Sequence, residues 1–195
     1  MTYGAHGYLD AGIYDRADYY AADFADLLHD LSLSKDTFIA HYYRVYGDPP
    51  QPPVWMTAEI LTLGKLSKWI RNLRLRADRK AIAKIYGIDE VVLTSAAHHL
   101  THVRNICAHH ARLWNKRFTV TMTIPQAPAA LKLAMNPAAD RQLYNTLVLL
   151  GYLMNIVAPG SDWKKRLVDL VTSCPFADQT AMGFPKDWTA MPAWK

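Results

Sequence analysis

The stretch VRNICAHHARLWN, residues 103–115, decides how the chain reads. It holds no proline or glycine, so it predicts helix, and the surrounding pattern extends that helix from about Asp89 to Trp114. At about 100° per residue, Leu93, Ala96, Leu100, Val103, Cys107, Ala111 and Trp114 fall on one apolar side. His98, His102, Asn105, His109 and Arg112 fall on a narrow polar arc opposite, with Arg104 and His110 on its flanks. On this reading Cys107 packs in the core and is no nucleophile.

A set of imidazoles, an amide and a guanidinium on one arc suits phosphodiester chemistry. Histidine moves protons near neutrality, and arginine offers a fixed fork to phosphate oxygens. RNA carries its own nucleophile in the 2′-OH, so cleavage by this route needs no metal and no cofactor. Zinc is the competing reading, because His98 and His102 stand at i, i+4, but no Glu completes an H-E-x-x-H pattern. Isolated histidines such as His6 and His29 read as surface residues. Glu59, alone among apolar neighbours, reads either as a surface residue or as a buried partner for Arg104 or Arg112.

Outward from the motif, the chain alternates helix signals with breakers. DYYAADFADLLHDLS predicts a helix, and SKDTFIAHYYRVYG another, capped by Ser34 and stopped by Gly47. After DPPQPP, one long helix is expected over VWMTAEILTLGKLSKWIRNL, with Lys65, Lys68, Arg71, Asn72 and Arg76 as a solvent-facing stripe. DRKAIAKIYG is a short helix. RFTVTMTI alternates for a few residues and predicts a short strand or an extended excursion. DRQLYNTLVLLGYLMNIV is the most apolar helix, and Ser161 can cap the next. The tail, residues 175–195, has three prolines and two tryptophans and is expected to lie extended on the surface with Trp188 or Trp194 docked in grooves. The expected architecture is a single all-α bundle over residues 1–195.

Charge and cysteine content narrow the class. Twenty-two Lys and Arg against 17 Asp and Glu give +5, a mild bias towards polyanionic partners. Residues 1–30 carry six Asp and one Arg, whereas residues 65–84 carry eight basic side chains and only Asp78, which predicts a locally positive face. Cys107 and Cys174 form no framework, which fits a reducing cytoplasm. No stretch reads as an export signal or a membrane span.

RNICAHHARLWN resembles the Abi-like (abortive infection) family of phage-defence proteins within the HEPN superfamily. The likeness extends to FIAHYYRVYGDPPQPPVWMTAEILTLGKLSKWIRNL and to the closing FPKDWTAMPAWK, about residues 35–195 in all. The resemblance implies a HEPN-like helical bundle and a metal-independent endoribonuclease whose site is completed by a homodimer. It further implies that Arg104 is the motif arginine, Asn105 the polar residue after it, His109 the catalytic histidine and His110 an additional one. Lys65, Lys68, Arg71, Arg74 and Arg76, with His98, His102 and Arg112, are then candidates for RNA contact. A regulatory RNA or a cognate antitoxin is an expected partner. Longer family members carry an N-terminal region that this sequence is expected to lack. A non-catalytic RNA-binding module and an inactive remnant are the alternative readings.

Overall fold

A computed structural model describes residues 3–195. Its contacts divide the chain into two compact units, residues 1–79 and 80–195, with the division falling inside one helix. Both units are helical, and among the described residues the β pairing is a single isolated bridge, Tyr14 to Leu73. The protein is all-α. Among the described residues no helix is long and apolar enough to cross a membrane.

The first unit opens with two 3-10 turns, Gly7–Leu9 and Ala11–Ile13, and continues into α1 (Ala17–Leu33), α2 (Thr37–Val45), α3 (Val54–Ile60) and α4 (Leu63–Asn72). Tyr8, Tyr14, Leu27, Leu31, Ile39 and Trp69 form its core. The Trp69 ring meets Tyr8, Tyr14 and Tyr20 edge-on at 6.1, 5.3 and 5.9 Å, an arrangement favoured by the aromatic quadrupole.

The long helix expected from Val54 to Leu73 is in fact two. Leu61 and Thr62 are extended, and Thr62 begins α4 as its N-cap, its hydroxyl accepting from the Lys65 amide at 3.3 Å. Capping supplies a partner for an amide that a continuous helix would have satisfied internally. The expected basic stripe is altered with it. Asn72 is buried: its Oδ1 accepts from the Arg16 amide at 2.9 Å and its Nδ2 donates to the Arg16 carbonyl at 3.1 Å, joining the end of α4 to the start of α1.

The acidic and basic blocks that lie far apart in sequence meet in this unit. Lys65 Nζ donates to Asp30 at 2.5 Å, and Lys68 pairs with Asp23 at 3.7 Å, so the stripe on α4 faces carboxylates of α1. Residues 1–79 hold nine Lys and Arg against ten Asp and Glu. Two of the eight basic side chains of residues 65–84, Lys65 and Lys68, are thus paired with carboxylates, and the chain's excess charge sits in residues 80–195, which hold 13 basic and seven acidic side chains.

The second unit receives the end of α5 (Arg76–Ile85), then α6 (Glu90–Ala108), α7 (Ala129–Ala134), α8 (Leu143–Val157) and α9 (Trp163–Ser173). Helix α8 is central, with Tyr144, Leu147, Val148 and Leu149 buried. RFTVTMTI forms no strand; it runs extended, with Phe118 and Met122 buried and the Thr123 amide donating to Ser95 Oγ at 3.0 Å. The tail departs from expectation. It folds into 3-10 turns at Trp188–Ala190 and Pro192–Trp194, and Trp188 and Trp194 are 2% and 7% exposed. Both indoles belong to the core beside Tyr144 and Phe184. The Tyr144 hydroxyl donates to the Ala134 carbonyl at 2.9 Å and accepts from Trp194 Nε1 at 3.4 Å, so one buried phenol links α7, α8 and the tail.

Candidate functional site

Helix α6 begins at Asp89, whose carboxylate accepts from the Val91 amide at 2.8 Å. The expected continuation to Trp114 does not occur. The helix stops at Ala108 and His109 is its C-cap. The His110 amide donates to the Cys107 carbonyl and the Ala111 amide to the Ile106 carbonyl, both at 3.0 Å. This is a Schellman motif, and His110 occupies its left-handed position with φ +52°. Glycine is the usual occupant there, because a β-carbon makes that conformation costly. Asn115 is also left-handed, φ +48°, so two non-glycine residues in strained backbone bracket the turn.

The polar arc on the helical wheel is corrected accordingly. Only His98, His102 and Asn105 of that set lie on the helix; His109 and Arg112 belong to the cap and the turn. The buried line of α6 is Val92, Ala96, His99, Val103 and Ile106, rotated from the expected stripe, and Cys107 is exposed. Glu59 is exposed, the surface reading of the two.

The turn is held from beneath. Val103, Ile106 and the fully buried Phe118 form a small core that Leu113 joins, and the Phe118 amide donates to the Arg141 carbonyl at 2.8 Å. Above it, Arg104, Asn105, His109, His110 and Arg112 are all exposed. Arg104 Nη1 donates to Asn105 Oδ1 at 3.2 Å, and the His109 amide donates to the Asn105 carbonyl at 3.0 Å. The four motif residues therefore share the last turn of one helix and its cap.

The other sequence candidates are distributed differently. His98 is exposed, whereas His102 is half-buried, its ring edge-on to Phe118 at 6.2 Å and its Nε2 buried without a hydrogen-bond partner. Arg71, Arg74 and Arg76 are exposed on the first unit, and Lys65 and Lys68 are in the ion pairs with α1. Among the described residues no group of three or more His, Cys, Asp or Glu is placed to hold a metal ion.

His99 was not singled out in the sequence, yet it is the histidine most firmly built in. One ring nitrogen lies 2.7 Å from the Val120 carbonyl and the other 2.7 Å from Thr146 Oγ1. Nδ1 must donate to the carbonyl, and in the neutral ring that this fixes, Nε2 accepts from the hydroxyl. Burial pushes its pKa below the ordinary histidine value. Its spacing of three and seven residues from Ala96 and Ile106 marked it as core.

The sequence around the turn is rich in cations. Residues 91–139 contain Arg104, Arg112, Lys116, Arg117 and Lys132 and not one Asp or Glu. Because α6 presents its carbonyl end, backbone amides do not neutralise a phosphate here as they would at a helix N-terminus. The side chains have to do so, and the guanidiniums are the groups suited to it.

A family model described as Abi-like protein matches residues 1–115. The match starts earlier than the resemblance over residues 35–195 and ends at Asn115, so the closing FPKDWTAMPAWK lies outside it. No curated protein and no solved structure matches the chain.

Proposed function

The chain belongs to the Abi-like protein family, and from that membership we propose that it is a phage-defence ribonuclease of the HEPN type, cutting RNA without a metal. The observation that carries the reading is the cap of α6: Arg104, Asn105, His109 and His110 are exposed together on a turn that lacks any carboxylate neighbour in sequence. Backbone strain at His110 supports it, since strain of this kind collects at sites where a side chain is needed for more than packing.

In the proposed reaction the His109 imidazole takes the proton of an RNA 2′-OH, and that oxygen attacks the adjacent phosphorus. Arg104 neutralises the charge that builds on the phosphoryl oxygens. The bond to the 5′ oxygen breaks, and the leaving oxygen takes a proton from a second imidazole. Pairing of two motifs in a homodimer supplies that second group. Asn105, hydrogen-bonded to Arg104, holds the guanidinium in place. The products are a 2′,3′-cyclic phosphate and a 5′-OH. A partner protein or RNA covering the turn would keep the enzyme silent.

The test is a labelled mixed RNA incubated in EDTA with wild type and with Arg104→Ala/His109→Ala. Wild type alone should cleave and leave 2′,3′-cyclic ends. Absence of cleavage by folded wild-type dimer would defeat the nuclease reading. It would leave the RNA-binding reading, which the excess charge of residues 80–195 favours.

A further inference from the structure

A second site lies in residues 130–193, beyond the family match. Helices α7, α8 and α9 and the C-terminal tail line an open cavity of about 540 Å³, within the usual range for small-molecule pockets. Its walls are apolar, with Leu131, Leu133, Val148, Met191 and Ala193 among them. Leu133 is 75% exposed, an unusual position for a leucine with a hydrophobic hollow beside it. The walls are fastened to one another, because Tyr144 donates to Ala134 on one side and contacts Met191 and Trp194 on the other.

One cation lines this apolar hollow. Lys164, half-buried, lays its stem along α8, where its Cε stands 3.5 Å from the position a β-carbon on Gly151 would take. Burial lowers its ammonium below the ordinary lysine value. Among the described residues no carboxylate pairs with it. A partly desolvated charge without a counter-ion is unfavourable, and it attracts an anion more strongly than a solvated one would. The exposed Asn155 also lines the hollow and offers an amide donor.

We propose that this cavity binds a small carboxylic acid with an apolar body, a medium-chain fatty acid in class, its carboxylate on Lys164 and Asn155 and its chain along Leu131, Val148 and Met191. Charge complementarity selects the acid, and a volume of about 540 Å³ suits a single small molecule. Since the tail forms one wall, the bound acid also fastens residues 191–193 to α7 and α8.

Calorimetric titration of the full chain with sodium decanoate, with decanol and with decyltrimethylammonium tests the proposal. Decanoate should bind saturably at one site and about tenfold or more tighter than decanol, with the cation weakest. Lys164→Gln should erase the preference for acid over alcohol by weakening decanoate about tenfold more than decanol, and Lys164→Arg should keep the preference. Ala130→Trp, at the exposed rim, should block both ligands. The proposal is overturned by no saturable decanoate binding to wild type, by equal affinity for acid and alcohol, or by a preference that survives Lys164→Gln in a protein with wild-type melting.

Discussion

His110 and His109 are neighbours with opposite backbone demands. His109 sits in an ordinary capping conformation, whereas His110 is left-handed. Replacing His110 with glycine should relieve about 1 kcal/mol of strain and raise the urea midpoint accordingly. If the imidazole is retained for catalysis, the same variant should lose cleavage by at least about tenfold, a stability gain coupled to a functional loss. His109→Ala should abolish cleavage with helicity and melting unchanged, and preserved cleavage would remove His109 from the mechanism. His99 carries a different consequence. Its folded pKa lies below its unfolded value, so the unfolded chain binds its proton first as pH falls. The stability it contributes is complete above about pH 6.5 and declines as pH falls from there through the lower folded value. Denaturant titrations across that window should show the decline, and His99→Gln should flatten it.

At the scale of elements, the test cases are the places where helices begin and end. Thr62→Ala removes the cap that starts α4 and should lower stability by about 1 kcal/mol in urea unfolding. Tyr144→Phe removes the phenol shared by Ala134 and Trp194 and should cost about 1–3 kcal/mol. These same places explain what was legible in the sequence. Helices with a steady apolar period, such as α1 and α8, could be read directly. The break at Leu61 and Thr62 was present as a cap residue, but the apolar period runs on across it and masks it. The end of α6 was hidden for another reason: a Schellman motif closed by glycine shows in a sequence, and one closed by histidine does not. Without that signal the apolar period carries His109 and Arg112 onto a helical face, whereas they belong to a cap and a turn. In the tail the docking of the tryptophans is legible, but its prolines suggest an extended run where the chain folds into 3-10 turns, and the floor that Tyr144 provides shows in no local pattern.

For the molecule as a whole, charge is partitioned unevenly along the chain. Residues 1–79 are nearly balanced, and the excess lies in residues 80–195. RNA affinity, measured against salt, should therefore depend chiefly on the motif end. Replacing Arg104, Arg112 and Arg117 by alanine should reduce the slope of log affinity against log salt by about 2, at about 0.7 per single-strand phosphate contact. Replacing Lys65 and Lys68 should change it by less than about 1, since both already have carboxylate partners. The reverse ranking would return α4 to the centre of RNA recognition. Those two ion pairs carry a further meaning. Along α1, Asp23 and Asp30 stand about two helical turns apart and present negative charge to Lys68 and Lys65. The two carboxylates are tethered to the same chain as their lysines, so any external anion at Lys65 or Lys68 would have to displace a partner held at high effective concentration.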